Sequence, residues 1–276
     1  MKVPVFYINL DRVSQRAKFM ETQCAHAGFD GVCRFSAVDA ASMPPSPHYQ
    51  PGRWGAYWSL LPSEVAVFES HRRIWAKVAG LTVPAVILED DVLLSRLADR
   101  RCSDLADFAE RFDLIKLDAL AGSLRLGPET RIGKVAVRPL TGVVPSAAAY
   151  LLSPSGAKVL LKLSERYCDH LDDFITRVRP DYRAFQLTPA VAVQGMFADV
   201  SCVPDIPADV AGSERTASET GAASRAARGP ALYRLRKEAV RGGRKLVRQL
   251  WRDRALVTRG GVIGEVPLAE DLPPYR

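Results

Sequence analysis

The apolar run Val83–Leu88 (VPAVIL) meets Glu89, Asp90 and Asp91 without a break, and Val92-Leu93-Leu94 follows at once. This junction constrains the fold more than any other stretch. An uninterrupted apolar run of this length reads as a strand covered on both faces, the pattern of a parallel sheet between helices. Adjacent carboxylates repel and raise one another's pKa, so three at the tip of such a strand need compensation. A hard divalent cation supplies it, and oxygen ligands suit Mg²⁺ or Mn²⁺. The C-terminal ends of parallel strands are also where α/β folds place ligands. Glu89, Asp90 and Asp91 therefore form a candidate metal and phosphate station. The plain alternative is a solvated acidic turn.

The flanking sequence extends the same pattern. Pro4–Leu10 reads as the first strand, and Val13–Gly28 as a helix ended by glycine, with Asp11 able to cap it. Phe35–Val38 reads as a second strand. The proline- and aromatic-rich stretch 41–62 reads as a loop beside the core, with Tyr57 and Trp58 available to cover it or to stack on a ring. Ser63 opens a predicted helix to Ala79, in which Val67, His71, Ile74 and Val78 share one face and Glu64 stands two turns before His71. A short strand closes in Asp118. Val143–Leu152 reads as a strand, Pro154 opens a helix, Asp169–Ile175 is acidic, and Leu187–Gln194 reads as the last core strand. Strands alternating with helices predict an α/β domain. It is expected to span 1–205. An Ala-, Gly-, Ser- and Pro-rich linker follows over 206–230, then a basic amphipathic tail over 231–276 that Gly242-Gly243 should interrupt.

The chain has 276 residues, 47% of them apolar, enough for one sizeable core. No stretch approaches the roughly 20 apolar residues of a membrane-spanning helix. The opening residues lack the order of a signal peptide. Five scattered cysteines suit free thiols in a reducing compartment, so a cytoplasmic protein is expected. Charge is uneven. Residues 1–212 hold 24 basic and 24 acidic side chains, whereas 213–276 hold 14 and 7. Between Arg225 and Arg254 the count is 11 to 2, with Leu232, Leu235, Leu246, Val247, Leu250 and Trp251 as an apolar side. Such a helix suits an anionic bilayer. Phosphates of nucleic acid would answer the same charge, but no nucleic-acid module accompanies it, so no nucleic-acid partner is expected. A solvated, disordered tail is the third reading.

Several chemistries lack their signatures. There is no GxxxxGK[ST], no GxGxxG after the first strand, no GxSxG and no HExxH. What remains is a nucleotide diphosphate held without a P-loop, hence a nucleotide-sugar enzyme. There a cation between carboxylates and diphosphate would stabilise the charge of the leaving group.

With these residues in place, the chain resembles glycosyltransferase family 25, the lipopolysaccharide and lipooligosaccharide transferases related to collagen galactosyltransferase domains. The resemblance runs through VFYINLDRVSQRAKFM, with Asn9, Leu10, Asp11, Arg12 and Arg16, and through FSAVDA at Phe35–Ala40. It continues in PSEVAVFESHRRIW, with Glu64, Ser70, His71 and Trp75, and is closest in VPAVILEDDVLL. Phe112–Leu117, the Ala149-Tyr150-x-x-Ser153 element, His170-Leu171-Asp172, Gln186–Pro189 and Gln194 complete it, over about residues 3–217. Ala66, Asp118 and His170-Leu171 depart from the family pattern, where glycine, glutamate and Pro-Val are usual.

The resemblance implies a GT-A-like, Rossmann-type α/β domain with a mixed central sheet, a UDP-sugar donor (often UDP-galactose), Mn²⁺ or Mg²⁺, a glycan or glycolipid acceptor, and inversion at the sugar carbon. Asp91 is then the expected direct metal ligand, with Glu89 as ligand or nucleotide contact and Asp90 beside them. Asn9, Leu10, Asp11, Arg12 and Arg16 would meet uracil, ribose or phosphate, with Glu64 also in the binding site. Asp172 is the expected general base, with Asp173 and Asp118 as competitors and His71 as a substrate contact or an orienting group. The rivals are a non-catalytic nucleotide- or glycan-binding member of the same fold, and a nucleic-acid-associated protein acting through its tail.

Overall fold

Each residue of β1 (Val5–Asn9) and β3 (Ala85–Leu88) is buried, as the apolar runs require. These strands are central in an eight-stranded sheet of order β2-β1-β3-β9-β5-β10-β8-β7. A computed structural model describes residues 2–52, 57–203, 206–207, 210, 229–247 and 251–276. β2 (Val32–Ser36) and β3 run parallel to β1, while β9 (Ala149–Leu152) enters antiparallel between β3 and β5 (Leu114–Lys116). β10 (Ala184–Leu187) is parallel to β5, and β8 (Val135–Pro139) with β7 (Thr130–Ile132) completes the edge in antiparallel pairing. This is the mixed α/β sheet expected.

Side chains alternate strictly across it. Val5, Tyr7, Val86, Leu88, Leu151 and Ile115 enter one core, together with Phe19, Met20 and Cys24 of α1 (Ser14–His26) and Cys102 and Leu105 of α3 (Ala98–Ala106). Phe6, Ile8, Ala85, Ile87, Tyr150 and Leu152 enter the other, against α2 (Pro62–Val78), α4 (Pro154–Leu163) and α5 (Leu171–Thr176). Gly156 lets α4 approach β5: a Cβ there would lie 2.2 Å from the Asp113 carbonyl oxygen.

Several local expectations change. α1 starts at Ser14 without an aspartate cap, because Asp11 turns instead to Arg34 and Ser36. α2 starts one residue before Ser63, and the Glu64 carboxylate accepts from the Leu61 N–H at 2.8 Å. The second strand lies at 32–36 rather than 35–38, and the strand expected over 143–152 is confined to 149–152. Residues 187–194 are not one strand: β10 ends at Leu187, a cis Thr188–Pro189 bond turns the chain, and β11 (Ala192–Gln194) pairs with β4 (Val92–Leu94).

The largest correction is at the C-terminus. α6 (Ala231–Val247) continues through Gly242-Gly243 without a break. After α7 (Asp253–Thr258), β12 (Val262–Gly264) pairs with β6 (Leu124–Leu126). Val266 and Ala269 are buried, and Asp271 accepts from Ser95 Oγ at 2.6 Å and from the Arg96 N–H at 2.7 Å. A boundary at residue 205 therefore does not hold for the last residues, whose spaced apolar side chains complete both cores. The linker expected over 206–230 falls mostly outside the described residues. Removing 259–276 should lower Tm by at least about 10 °C in a thermal melt, since burial of each large apolar side chain contributes roughly 1.5–3 kcal/mol and each kcal/mol moves Tm about 2–4 °C. An unchanged melt would show that this segment is dispensable.

Candidate active site

The C-terminal ends of β1 and β3 open onto a cavity of about 810 Å³. Asn9, Leu10, Arg12 and Arg16 form one side, Ala66, Ser70 and His71 of α2 another, Glu89, Asp90, Asp91 and Gln194 the floor, and Ser146, Ala147 and Asp172 the far wall. A smaller recess of about 230 Å³ adjoins it, lined by Tyr57, Glu64, Val67, His170, Leu171, Asp172 and Asp173. Val67 and Asp172 line both.

The acidic triplet divides its work. Asp90 accepts from Asn9 Nδ2 at 2.7 Å and from Arg16 at 3.0 Å, so it pins α1 to the end of β1. Gln194 Nε2 reaches Asp91 Oδ2 at 2.8 Å and Glu89 Oε2 at 3.4 Å, holding these two carboxylates together. Asp91 is 7% exposed, and its Oδ1 has no hydrogen-bond partner among the described residues. Burial, with Glu89 next, pushes its carboxyl up to about 7. An orphaned, buried carboxylate oxygen beside a second carboxylate fits a divalent cation. Among the described residues, no group of three or more His, Cys, Asp or Glu side chains is placed to hold a metal ion. Two carboxylates, completed by phosphate oxygens and water, are how Mg²⁺-type ions are commonly held.

The far wall is built on a strained residue. Ser146 has φ of 69°, a left-handed backbone that costs a non-glycine residue about 1–2 kcal/mol. It is held there by hydrogen bonds. Ser146 Oγ donates to Asp118 Oδ2, while Asp118 Oδ1 pairs with Lys116 Nζ at 2.5 Å. The Ser146 N–H in turn donates to Asp172 Oδ2 at 2.9 Å. Asp118 is wholly buried and lines neither the cavity nor the recess, so it is not placed to meet an acceptor hydroxyl; it braces Ser146. Asp173 turns into the recess and accepts from Tyr57 Oη at 2.8 Å.

Other expected residues sort in the same way. Asp11 lies outside the cavity, at the surface, bonded to Arg34 and Ser36. Arg12 lines the cavity and pairs with Asp39 at 3.3 Å. Glu64 belongs to the recess and pairs with His170 at 3.2 Å. His71 is 1% exposed, and burial pushes its imidazole down to about 3, so it is neutral and no base. Gln194 and Ser146 were not among the expected site residues. Gln194 stood in a resembling block, whereas Ser146 carried no sequence signal.

The model of the family described as glycosyltransferase family 25 (LPS biosynthesis protein) matches residues 2–175. No curated protein matches the chain. The matched span contains the acidic triplet and the three sides of the cavity named above, Asp172 included. With more than half of its length matched, and with a GT-A-like mixed sheet carrying the acidic site at its strand ends, the chain belongs to glycosyltransferase family 25 and is a glycosyltransferase.

Proposed function

We propose that the enzyme moves a hexose, galactose foremost, from a UDP-sugar to a hydroxyl of a lipopolysaccharide, lipooligosaccharide or other surface-glycan acceptor, with inversion and with help from a divalent cation. The observation that carries this reading is Asp172, among the described residues the one titratable side chain lining both the large cavity and the adjoining recess. Inversion needs a base between donor and acceptor, on the face opposite the leaving group. Asp172 takes the acceptor's hydroxyl proton. The acceptor oxygen forms the new bond to the sugar carbon as the bond to diphosphate breaks, and that electron pair leaves with UDP. Lys116, Asp118 and Ser146 hold Asp172 for this role. Asn9, Leu10, Arg12 and Arg16 flank the nucleotide end. Asp91 and Glu89 would hold the cation, Mn²⁺ or Mg²⁺, which supplies charge stabilisation for the departing diphosphate.

A screen of UDP-sugars for UDP release and transfer, with and without Mn²⁺, tests the reading. Cation-dependent turnover of one donor is expected. Tight UDP-sugar binding without turnover of any donor would instead favour a non-catalytic binding member.

The acceptor proposed is lipid-linked, which accords with α6 and with a place at the inner face of the membrane. Among the described residues no helix is long and apolar enough to cross a membrane. α6 is held by Tyr233 against Trp58, ring centroids 5.3 Å apart, and by Lys237 over the Tyr57 ring at 4.8 Å. Leu232 and Leu235 are each 69% exposed, beside the basic residues of the helix. Leu232→Glu with Leu235→Glu should weaken sedimentation with phosphatidylglycerol vesicles at least about tenfold, given roughly 1.5 kcal/mol or more per buried leucine. Unchanged sedimentation would remove the membrane from the account.

A further inference from the structure

Three motif residues from distant parts of the sequence meet behind the cavity: His71 and Trp75 on α2, and Tyr150 on β9. Trp75 Nε1 donates to Tyr150 Oη at 2.9 Å, and Tyr150 Oη lies 2.7 Å from His71 Nδ1. All three side chains are at most 1% exposed. Of the two neutral forms of His71, one leaves fewer buried groups unpaired. An indole nitrogen only donates, so Tyr150 Oη accepts from Trp75. The phenol then has one proton of its own. If it goes to His71 Nδ1, the Nε2 position alone of the triad lacks a partner among the described residues, as it does in either tautomer. If Nδ1 carried the proton instead, the phenol proton would be buried without an acceptor among the described residues, an arrangement proteins avoid. Burial also raises the Tyr150 phenol well above its ordinary value, which keeps that proton on the oxygen.

The consequence lies on the other side of the ring. His71 Nε2 faces the cavity floor, 3.8 Å from Glu89 Oε1, and has no hydrogen-bond partner among the described residues. We propose that Trp75 and Tyr150 lock His71 as the Nε2–H tautomer, which makes it a fixed hydrogen-bond donor to an oxygen of the nucleotide-sugar donor and withholds its nitrogen from the cation. A ring nitrogen carrying a proton has no lone pair for a metal. The histidine thus discriminates between two things the floor must hold. Asp91 and Glu89 take positive charge, and His71 takes an oxygen, from the diphosphate or from a sugar hydroxyl. The ligand half rests on the reading of the cavity as the donor site; the tautomer half stands on the triad alone.

The two halves separate experimentally. Long-range ¹H–¹⁵N spectra of the full chain with ¹⁵N-histidine report the tautomer of each of its four histidines, His71 being assigned by its loss in His71→Gln. The expected pattern at neutral pH is a protonated, pyrrole-type Nε2 and a bare, pyridine-type Nδ1. The opposite pattern overturns the lock, whatever the cavity binds. Tyr150→Phe should release the ring into a mixture of tautomers; should that variant fail to fold, the wild-type spectrum still decides.

For the ligand half, calorimetric titration with UDP-galactose compares His71→Asn with His71→Gln. The glutamine amide can reach the Nε2 position and the asparagine amide cannot. Asparagine should weaken binding about tenfold, the loss expected for one buried hydrogen bond, and glutamine should recover most of it. Equal affinities in the two variants overturn the donor role while leaving the lock intact. Absence of UDP-galactose and UDP binding in the wild type, with the tautomer as expected, would instead overturn the reading of the cavity and with it the ligand half.

Discussion

Asp172→Asn lowers sugar transfer by about 10²–10⁴-fold, the range that a positioned general base contributes, and leaves UDP-sugar affinity within a few fold. The split follows from where Asp172 stands. It lines both the large cavity and the recess, whereas Asn9, Arg12 and Arg16, the residues proposed for the nucleotide, line the large cavity alone. Asparagine keeps the acceptor oxygen for the Ser146 N–H, so the loop stays in place and only proton uptake is lost. Asp173→Asn serves as the comparison. Its carboxylate is turned to Tyr57 Oη, and its loss should cost much less than that of Asp172. Steady-state transfer rates, with separate equilibrium titration of the donor, check the prediction. If Asp173→Asn abolishes transfer and Asp172→Asn does not, the base assignments exchange.

The second large effect is expected at the floor. Asp91→Asn should reduce cation-dependent turnover by at least about 10²-fold, a typical order for losing a charge partner of the transition state. The substitution is nearly isosteric, and the Gln194 contact to one oxygen can persist through the amide oxygen. Asp90→Asn is expected to act differently. Asp90 is bonded to Asn9 and Arg16, so its loss should loosen α1 against β1 and appear first as a lower Tm. UDP release measured across a Mn²⁺ series separates the two. Near-normal turnover in Asp91→Asn would remove Asp91 from the site.

The central frame of this enzyme was readable because burial is written in runs. The unbroken apolar stretches of β1 and β3 could only be strands covered on both faces, and the acids after β3 mark the strand ends at which the cavity opens. Periodicity located α2, and Pro154 marked the start of α4, where Ser153 accepts from the Gly156 N–H at 3.0 Å. Three short strands between Leu124 and Pro139 were not legible. They alternate weakly, and their stability comes from distant partners, β12 for β6 and β10 for β8.

The same holds for the C-terminus. Val266, Leu268 and Tyr275 are too scattered to announce a core segment, yet all three pack into the cores. Within the site, the acids were visible but their division of labour was not. Whether Asp118 is a base or a brace depends on Lys116 and Ser146, and the left-handed backbone of Ser146 leaves no mark in composition. His71 resisted for a related reason. Its ring is held by a tyrosine on β9, far away in the chain.

The proposed catalysis turns on a cation that Asp91 and Glu89 would hold against the departing diphosphate. Its most direct measurement is a crystal structure with UDP and Mn²⁺, with the metal identified by anomalous scattering. A manganese peak is expected beside the Asp91 carboxylate, touching the diphosphate, with the uracil toward Asn9 and Arg12. A diphosphate bound away from Glu89 and Asp91, with both carboxylates facing bulk water, would contradict it.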